Sequence, residues 1–211
     1  MDHEARWNGR YREAGEGYLF GTAPNRFMAG RAGLFRAGES ALLVADGEGR
    51  NSVWLAEQGL VVSAVDISPV AIKKAGRLAT ARQVNVAFAL GDLLAPDWQP
   101  VAGEKHYDWL VGIFIQFAAP AERDLLLARM QEMTRPGGRI MLLGYTPRQL
   151  EYRTGGPAAL ENLYTADLLR QYFSAWHIEE LVEYEDDITE GTGHKGRSAL
   201  VGLVARKPVS A

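Results

Sequence analysis

Ala41 to Ala56 reads ALLVADGEGRNSVWLA, and Val61 to Ser68 reads VVSAVDIS. An apolar run stops at Asp46-Gly47-Glu48-Gly49-Arg50, an amphipathic stretch starts at once, and a second apolar run ends on Asp66. A strand, a glycine turn, a helix and a strand closed by a carboxylate make one mononucleotide-binding half of a doubly wound sheet. The glycines let a ligand lie against bare backbone at the helix N-terminus, where N–H groups lack partners within the helix. A carboxylate at Asp66 can accept both hydroxyls of a ribose, so the pattern predicts a nucleoside ligand. The spacing from turn to Asp66 also suits a nicotinamide dinucleotide. The absence of G-x-G-x-x-G and a predicted antiparallel final strand argue against that cofactor.

The same alternation continues outward. Strands are expected at about 41–45, 61–66, 84–90, 107–114, 138–145, 176–188 and 198–206, with helices at about 50–58, 68–82, 120–134 and 165–174. Ser68-Pro69 and Thr165 read as helix N-termini. Pro136-Gly137-Gly138 reads as a helix stop that turns into the next strand. Only Glu190 to Gly196 (EGTGHKG) separates the last two strands, so a hairpin closes the sheet. The expected fold class is α/β: a Rossmann-like, doubly wound, seven-stranded sheet, mostly parallel with an antiparallel last strand. Ahead of it, Trp7 and Tyr11 stand four apart on one face of a helix over His3 to Ala14, followed by the broken segment GEGYLFGTAPNRF (Gly15 to Phe27) and a short helix over Asn25 to Phe35. A single domain over 1–211 is expected, with residues 1–36 as a helical lid.

The 211 residues hold 23 basic and 26 acidic side chains, a net charge of −3 with no long run of either sign, which argues against nucleic acid or an anionic membrane as partner. No apolar stretch reaches the roughly 20 residues of a membrane helix, and MDHEARWNGR does not read as a signal peptide. Cytoplasm is the expected location. With 0 Cys there is no disulfide and no thiolate chemistry, and His3, His106 and His177 show no ligand spacing, so no metal is expected.

The order and spacing of several motifs resemble the class I S-adenosylmethionine (SAM)-dependent methyltransferases, closest to small bacterial proteins of the tellurite-resistance (TehB-like) and thiopurine methyltransferase-like groups. They are the W-x3-Y-x6-Y-x-F-G-T-x-P-N run (Trp7 to Asn25), GEGRN (Gly47 to Asn51), AVDIS (Ala64 to Ser68), GDL (Gly91 to Leu93), IFIQF (Ile113 to Phe117) and LARMQEMTRPGGRIML (Leu127 to Leu142). The resemblance covers nearly the whole chain. It implies an enzyme that uses SAM and releases S-adenosyl-L-homocysteine.

The resemblance also implies roles for single residues. Gly47 and Gly49 would let backbone approach the methionine part of SAM. Leu43 stands where the family carries an acid, and Ala45 and Asp46 replace the first glycine and its neighbour, so Asp46 would take the amino group. Asp66 would hold the ribose, Ile67 one face of the adenine, Asp92 the adenine amine and Leu93 the ring through its N–H. A helix-cap role for Asp66 is already filled by Ser68, whereas a turn role for Asp92 stays open. Ile113 and Phe114 would wall the methionine moiety. Tyr18, Phe20 and Asn25 of the lid would touch the cofactor, while Trp7, Tyr11 and Phe27 read as packing residues. A lid would exclude water from a charged sulfonium.

Methyl transfer from a sulfonium needs mostly alignment, worth roughly 7–11 kcal/mol at near-attack distance. A base is required only when the nucleophile carries a proton. The acceptor face is expected beyond the fourth and fifth strands. There Gln116 occupies a position where relatives often carry histidine, Tyr145 follows strand five, and RQLEYRTGGP forms an insertion. His194 is the candidate general base, and Glu190 is expected either at the same rim or on a solvated hairpin tip. The expected reaction is methylation of a small molecule, a thiol or chalcogen anion. The alternatives are a small-molecule O- or N-methyltransferase or a non-catalytic SAM-binding protein. A monomer and a homodimer are equally compatible with the sequence.

Overall fold

In the computed structural model, which describes residues 3–96, 98 and 106–209, seven strands are ordered β3-β2-β1-β4-β5-β7-β6. The strands are β1 (Ser40–Val44), β2 (Val61–Asp66), β3 (Val86–Leu90), β4 (Tyr107–Ile113), β5 (Thr134–Tyr145), β6 (His177–Glu190) and β7 (His194–Arg206). The helices are α1 (His3–Glu13), α2 (Arg26–Ala29), α3 (Arg50–Glu57), α4 (Pro69–Arg82), α5 (Pro120–Met133), α6 (Gln149–Tyr152) and α7 (Ala166–Tyr172). Contacts divide the chain into two compact units: residues 1–105 with Glu190–Gly193, and residues 106–189 with 194–211.

In the first unit β1, β2 and β3 pair in parallel, with Val44 opposite Val65 and Asp66 opposite Leu90. Both faces of β1 are covered, which is why Ala41 to Val44 is an unbroken apolar run. The predicted cap of α4 is present: Ser68 Oγ accepts from the Ala71 N–H and Pro69 takes the first helical position. The buried stripe of α4 comprises Ala71, Ala75, Leu78 and Ala79, and it also includes Lys74.

In the second unit β4 and β5 pair in parallel and β7 pairs antiparallel to β5, as the short hairpin segment implied. The core is built on Trp109, Leu110, Leu126, Leu127, Met130, Leu142 and Leu203. Thr165 caps α7 by accepting from the Leu168 N–H. One boundary needs correction. Pro136-Gly137-Gly138 lies inside β5 rather than between helix and strand. Its register jumps from Tyr107↔Thr134 to Trp109↔Arg139, so the surplus residues bulge out. Gly137 (φ 79°) makes the kink, and the ladder is kept by Gly137 N–H to Lys207 C=O and Lys207 N–H to Gly138 C=O.

Candidate functional site

The chain between β1 and α3 turns through three left-handed residues: Ala45 (φ 49°), Gly47 (φ 67°) and Gly49 (φ 87°). Alanine pays about 1–2 kcal/mol for that conformation, and such strain is commonly held at functional positions. The Gly47 N–H donates to Asp66 Oδ2 at 2.8 Å, and the Ser68 N–H donates to Asp66 Oδ1 at 2.8 Å. The Gly91 N–H donates to the Asp66 carbonyl at 3.0 Å, which draws the Gly91-Asp92-Leu93 turn to the same place. The ends of three parallel strands therefore gather Ala45 to Gly49, Asp66, Ile67, Asp92 and Leu93. Ile67 is half-buried and Leu93 buried. Asp92 is exposed, and its Oδ1 accepts from the Leu94 N–H at 2.9 Å, the turn role left open above.

Two carboxyls at this turn are held above the ordinary carboxylate range. Burial pushes Asp66 up to about 6, against the N–H groups of Ser68, Gly47 and Ile67 that favour its charged form. Asp46 is also pushed up to about 6, first by burial and further by Asp66, while the hydroxyl of Ser52 and the Arg50 guanidinium pull the other way. Ser52 Oγ donates to Asp46 Oδ2 at 2.5 Å. Asp46 Oδ1 is shut off from solvent with no hydrogen-bond partner. A buried acceptor left open costs about 1–3 kcal/mol, more when charged.

The N-terminal segment differs from expectation in detail. Trp7 stacks on Tyr11 (5.7 Å between ring centres, 26°), and Phe20 meets both rings at 6.5 and 6.4 Å. Tyr11, read as a packing residue, also reaches the turn: a Cβ on Gly47 would lie 2.8 Å from its hydroxyl oxygen. Phe20 stands beside the turn too, its N–H 3.4 Å from Glu48 Oε2. Tyr18 instead packs against Val53, Leu78 and Ala79 and donates to the Lys74 carbonyl. Asn25 is 2% exposed and spent internally. Its Oδ1 caps Phe27 N–H, its Nδ2 donates to Glu190 Oε1 at 2.7 Å, and its N–H donates to Asn51 Oδ1. In this structure Tyr18 and Asn25 spend these groups within the fold of the N-terminal segment. The expectation for Glu190 is corrected, because it is buried in an ion pair with Arg50 (2.7 Å) and is neither a solvated tip nor an acceptor rim.

In the second unit Ile113 ends β4 and Phe114 turns the chain at φ 57°, its N–H donating to the Leu143 carbonyl at 2.8 Å. The Phe114 ring stacks on Tyr145 (4.7 Å, 25°) and meets His194 edge-on at 4.5 Å; Tyr145 and His194 are 5.8 Å apart. The Gly155-Gly156 part of the insertion lies on the Tyr145 ring, where a Cβ on Gly156 would come within 2.8 Å. Phe114, Tyr145 and His194 are brought together. Gln116 is not available to a ligand. Its Nε2 donates to the carbonyls of Tyr145 (2.9 Å) and Asn162 (3.1 Å), and its Oε1 accepts the Tyr145 N–H (2.5 Å). The amide copies a strand edge and positions Tyr145, a hydrogen-bonding role rather than that of a base.

Residues that sequence reasoning passed over are Glu48, Arg50, Asn51 and Lys74. Lys74 had a legible signal: it stands three residues from Ala71 and four from Leu78, on the apolar stripe of α4, where a lysine needs a buried partner. Among the described residues no group of three His, Asp or Glu could hold a metal, and no helix is long and apolar enough to cross a membrane.

Residues 41–138 match the family described as Methyltransferase domain. A curated relative, hemagglutinin 1 of Eikenella corrodens, is 29% identical over 171 residues, covering 77% of this chain and 52% of its own length. The chain therefore spans about half the length of that relative. Among solved structures, one described by the conversion of a disulfide bond into a thioacetal group during echinomycin biosynthesis superposes with TM-score 0.77 at 20% identity, covering 99% of this chain and 93% of that one. TehB from Haemophilus influenzae gives 0.70 at 21% identity over 88% of this chain and 63% of its own. Magnesium protoporphyrin IX methyltransferase from Synechocystis, with bound S-adenosylhomocysteine (SAH), gives 0.62 at 14% over 97% and 83%. Residues 41–138 thus carry the sequence pattern of a methyltransferase domain, and the fold is shared with solved methyltransferases.

Proposed function

We propose that the chain transfers the methyl group of SAM to a small soft nucleophile, a thiol or a chalcogen anion. The observation that carries the donor half is the buried, unpartnered Asp46 Oδ1 on a turn of bare backbone, a fit for the ammonium of the methionine moiety. Asp66 holds the ribose hydroxyls with the lone pairs left over from its backbone N–H bonds, and Ile67, Asp92 and Leu93 take the adenine. When bound, SAM supplies a methyl group already activated by its sulfonium. The protein's task is to orient both reactants and keep water out.

The acceptor half rests on Phe114, Tyr145 and His194. Gln116 is consumed by backbone, so His194 is the side chain of that cluster whose ordinary titration range lies near neutral pH. A nucleophile that arrives ionised fits such sparse acid–base equipment, and sulfur chemistry is named for one structural neighbour. The test is an acceptor panel of thiols, selenite and tellurite against catechols and amines, using wild type and His194→Ala. Turnover of thiols or chalcogen anions is expected. The variant should lose about 10²-fold or more on any hydroxyl or amine acceptor and little on a thiol assayed above its own pKa. Turnover confined to hydroxyls or amines would overturn the acceptor class, and equal losses on both kinds of acceptor would remove His194 as a base.

A further inference from the structure

The two charged side chains that flank Gly49 are both buried and both paired. Glu48 Oε1 lies 2.9 Å from Lys74 Nζ, and Arg50 Nη2 lies 2.7 Å from Glu190 Oε2. Lys74 is 3% exposed and uses all three of its N–H donors: on Glu48, on the Tyr11 carbonyl at 2.7 Å and on the Gly17 carbonyl at 2.8 Å. Glu190 in turn accepts from Asn25 Nδ2 at 2.7 Å. Between these two ends the Leu19 carbonyl accepts from the N–H groups of Thr192 (2.9 Å) and Gly193 (3.0 Å). Glycine is required there, because a Cβ on Gly191 would lie 2.3 Å from the Leu19 oxygen and one on Gly193 2.3 Å from the Phe20 ring. The segment from Tyr11 to Asn25 is thus fastened at five residues. Its charged fastenings both run to the glycine turn.

A buried ion pair seldom adds net stability over an apolar replacement, yet losing one partner leaves an uncompensated charge. We propose that Lys74 and Glu190 are positioning residues. Acting through Glu48 and Arg50, they lock the 11–25 segment onto the glycine turn, so that cofactor occupancy of the turn and docking of this segment form one coupled equilibrium. This rests on the reading that the turn holds SAM. The coupling is reciprocal: whatever undocks the segment weakens the ligand, and the ligand protects the segment.

The test combines trypsin cleavage after Arg10 and Arg12, calorimetric binding of SAH and urea unfolding for wild type, Lys74→Met, Lys74→Met/Glu48→Gln and Glu190→Gln. In wild type SAH is expected to slow cleavage at Arg12. Lys74→Met should speed it at least tenfold, weaken SAH at least tenfold and abolish the protection. Adding Glu48→Gln should recover part of both losses, since no buried charge is then unpaired. Glu190→Gln, the milder change, should shift both readouts in the same direction and decides the matter should Lys74→Met not fold. Folded variants with wild-type cleavage rates would overturn the proposal, as would faster cleavage with unchanged SAH affinity. Were wild type itself to ignore SAH, the cofactor reading would fall, and ligand-free cleavage at Arg12 would still report on the fastening.

Discussion

Asp46→Asn is expected to weaken SAH binding at least tenfold while raising the melting temperature at pH 7.5. The two effects have one origin. The folded chain holds the Asp46 carboxyl at about 6 against an ordinary value of 3.8, chiefly because burial disfavours the charge. Between pH 4 and 6 the folded state therefore keeps a proton that the unfolded state releases. Stability from this group is present below about pH 4 and is lost as pH rises through 6. At pH 7.5 the penalty is complete, and an asparagine removes it while still accepting from Ser52. The ligand reverses the balance: an ammonium placed on Oδ1 favours the carboxylate, and a charge-assisted hydrogen bond of about 1.5–3 kcal/mol corresponds to roughly ten- to 150-fold in affinity. Binding should accordingly strengthen from pH 5 to 7.5 and release protons near pH 6, with a smaller release in the variant because Asp66 still titrates in the same range. Urea midpoints and calorimetry in buffers of different ionisation heat check both arms. A variant that is less stable at pH 7.5 and binds SAH as well as wild type would remove Asp46 from the donor site.

Gly49→Ala is expected to cost about 2–5 kcal/mol of stability, the largest effect of any single methyl group at the turn. Gly49 caps α3 at φ 87°, where an L side chain adds about 1–2 kcal/mol. Its Cβ would fall 2.7 Å from the Ala75 Cβ and 2.9 Å from the Ala75 Cα, so the obstacle is the fully buried backbone of α4 and cannot rotate away. Overpacking of this kind costs about 1–3 kcal/mol more. Gly76, the next residue of α4, is the control: a Cβ there meets nothing within 4 Å, and Gly76→Ala should add about 0.5–1 kcal/mol through helix propensity. Denaturant midpoints measure both. Equal stability of Gly49→Ala and wild type would show that α3 and α4 do not meet through this glycine.

The seven strands were legible because each is an apolar run bounded by a turn, and the antiparallel last strand because Glu190 to Gly196 leaves room only for a hairpin, although the strands extend into that segment until three residues part them. Ser68-Pro69 and Thr165 were legible because caps are local chemistry. Pro136-Gly137-Gly138 misled for a physical reason: the same glycine freedom that ends a helix also kinks a strand, and the bonds to Lys207 that decide the matter come from the far end of the chain. In the site, Asp66 and the glycines could be read from spacing, since one supersecondary unit delivers them. Asn25 could not. Its side-chain acceptor lies 165 residues away on Glu190, and no local pattern reports such a pairing. Gln116 escaped for the same reason, as its partners are backbone groups of Tyr145 and Asn162. Tyr11 was underestimated because an aromatic stripe reads as core until the bare Cα of Gly47 is found beneath its hydroxyl.

On the proposed function, a SAM-type nucleoside seats on the backbone of residues 45–49 with its sugar on Asp66. Isothermal calorimetry of SAH and of NADH, each against wild type and Asp66→Ala, tests it most directly. One SAH per chain, heat lost or sharply reduced in the variant, and no heat from NADH is the predicted result. Silence with SAH, or SAH binding that ignores the loss of Asp66, would contradict it.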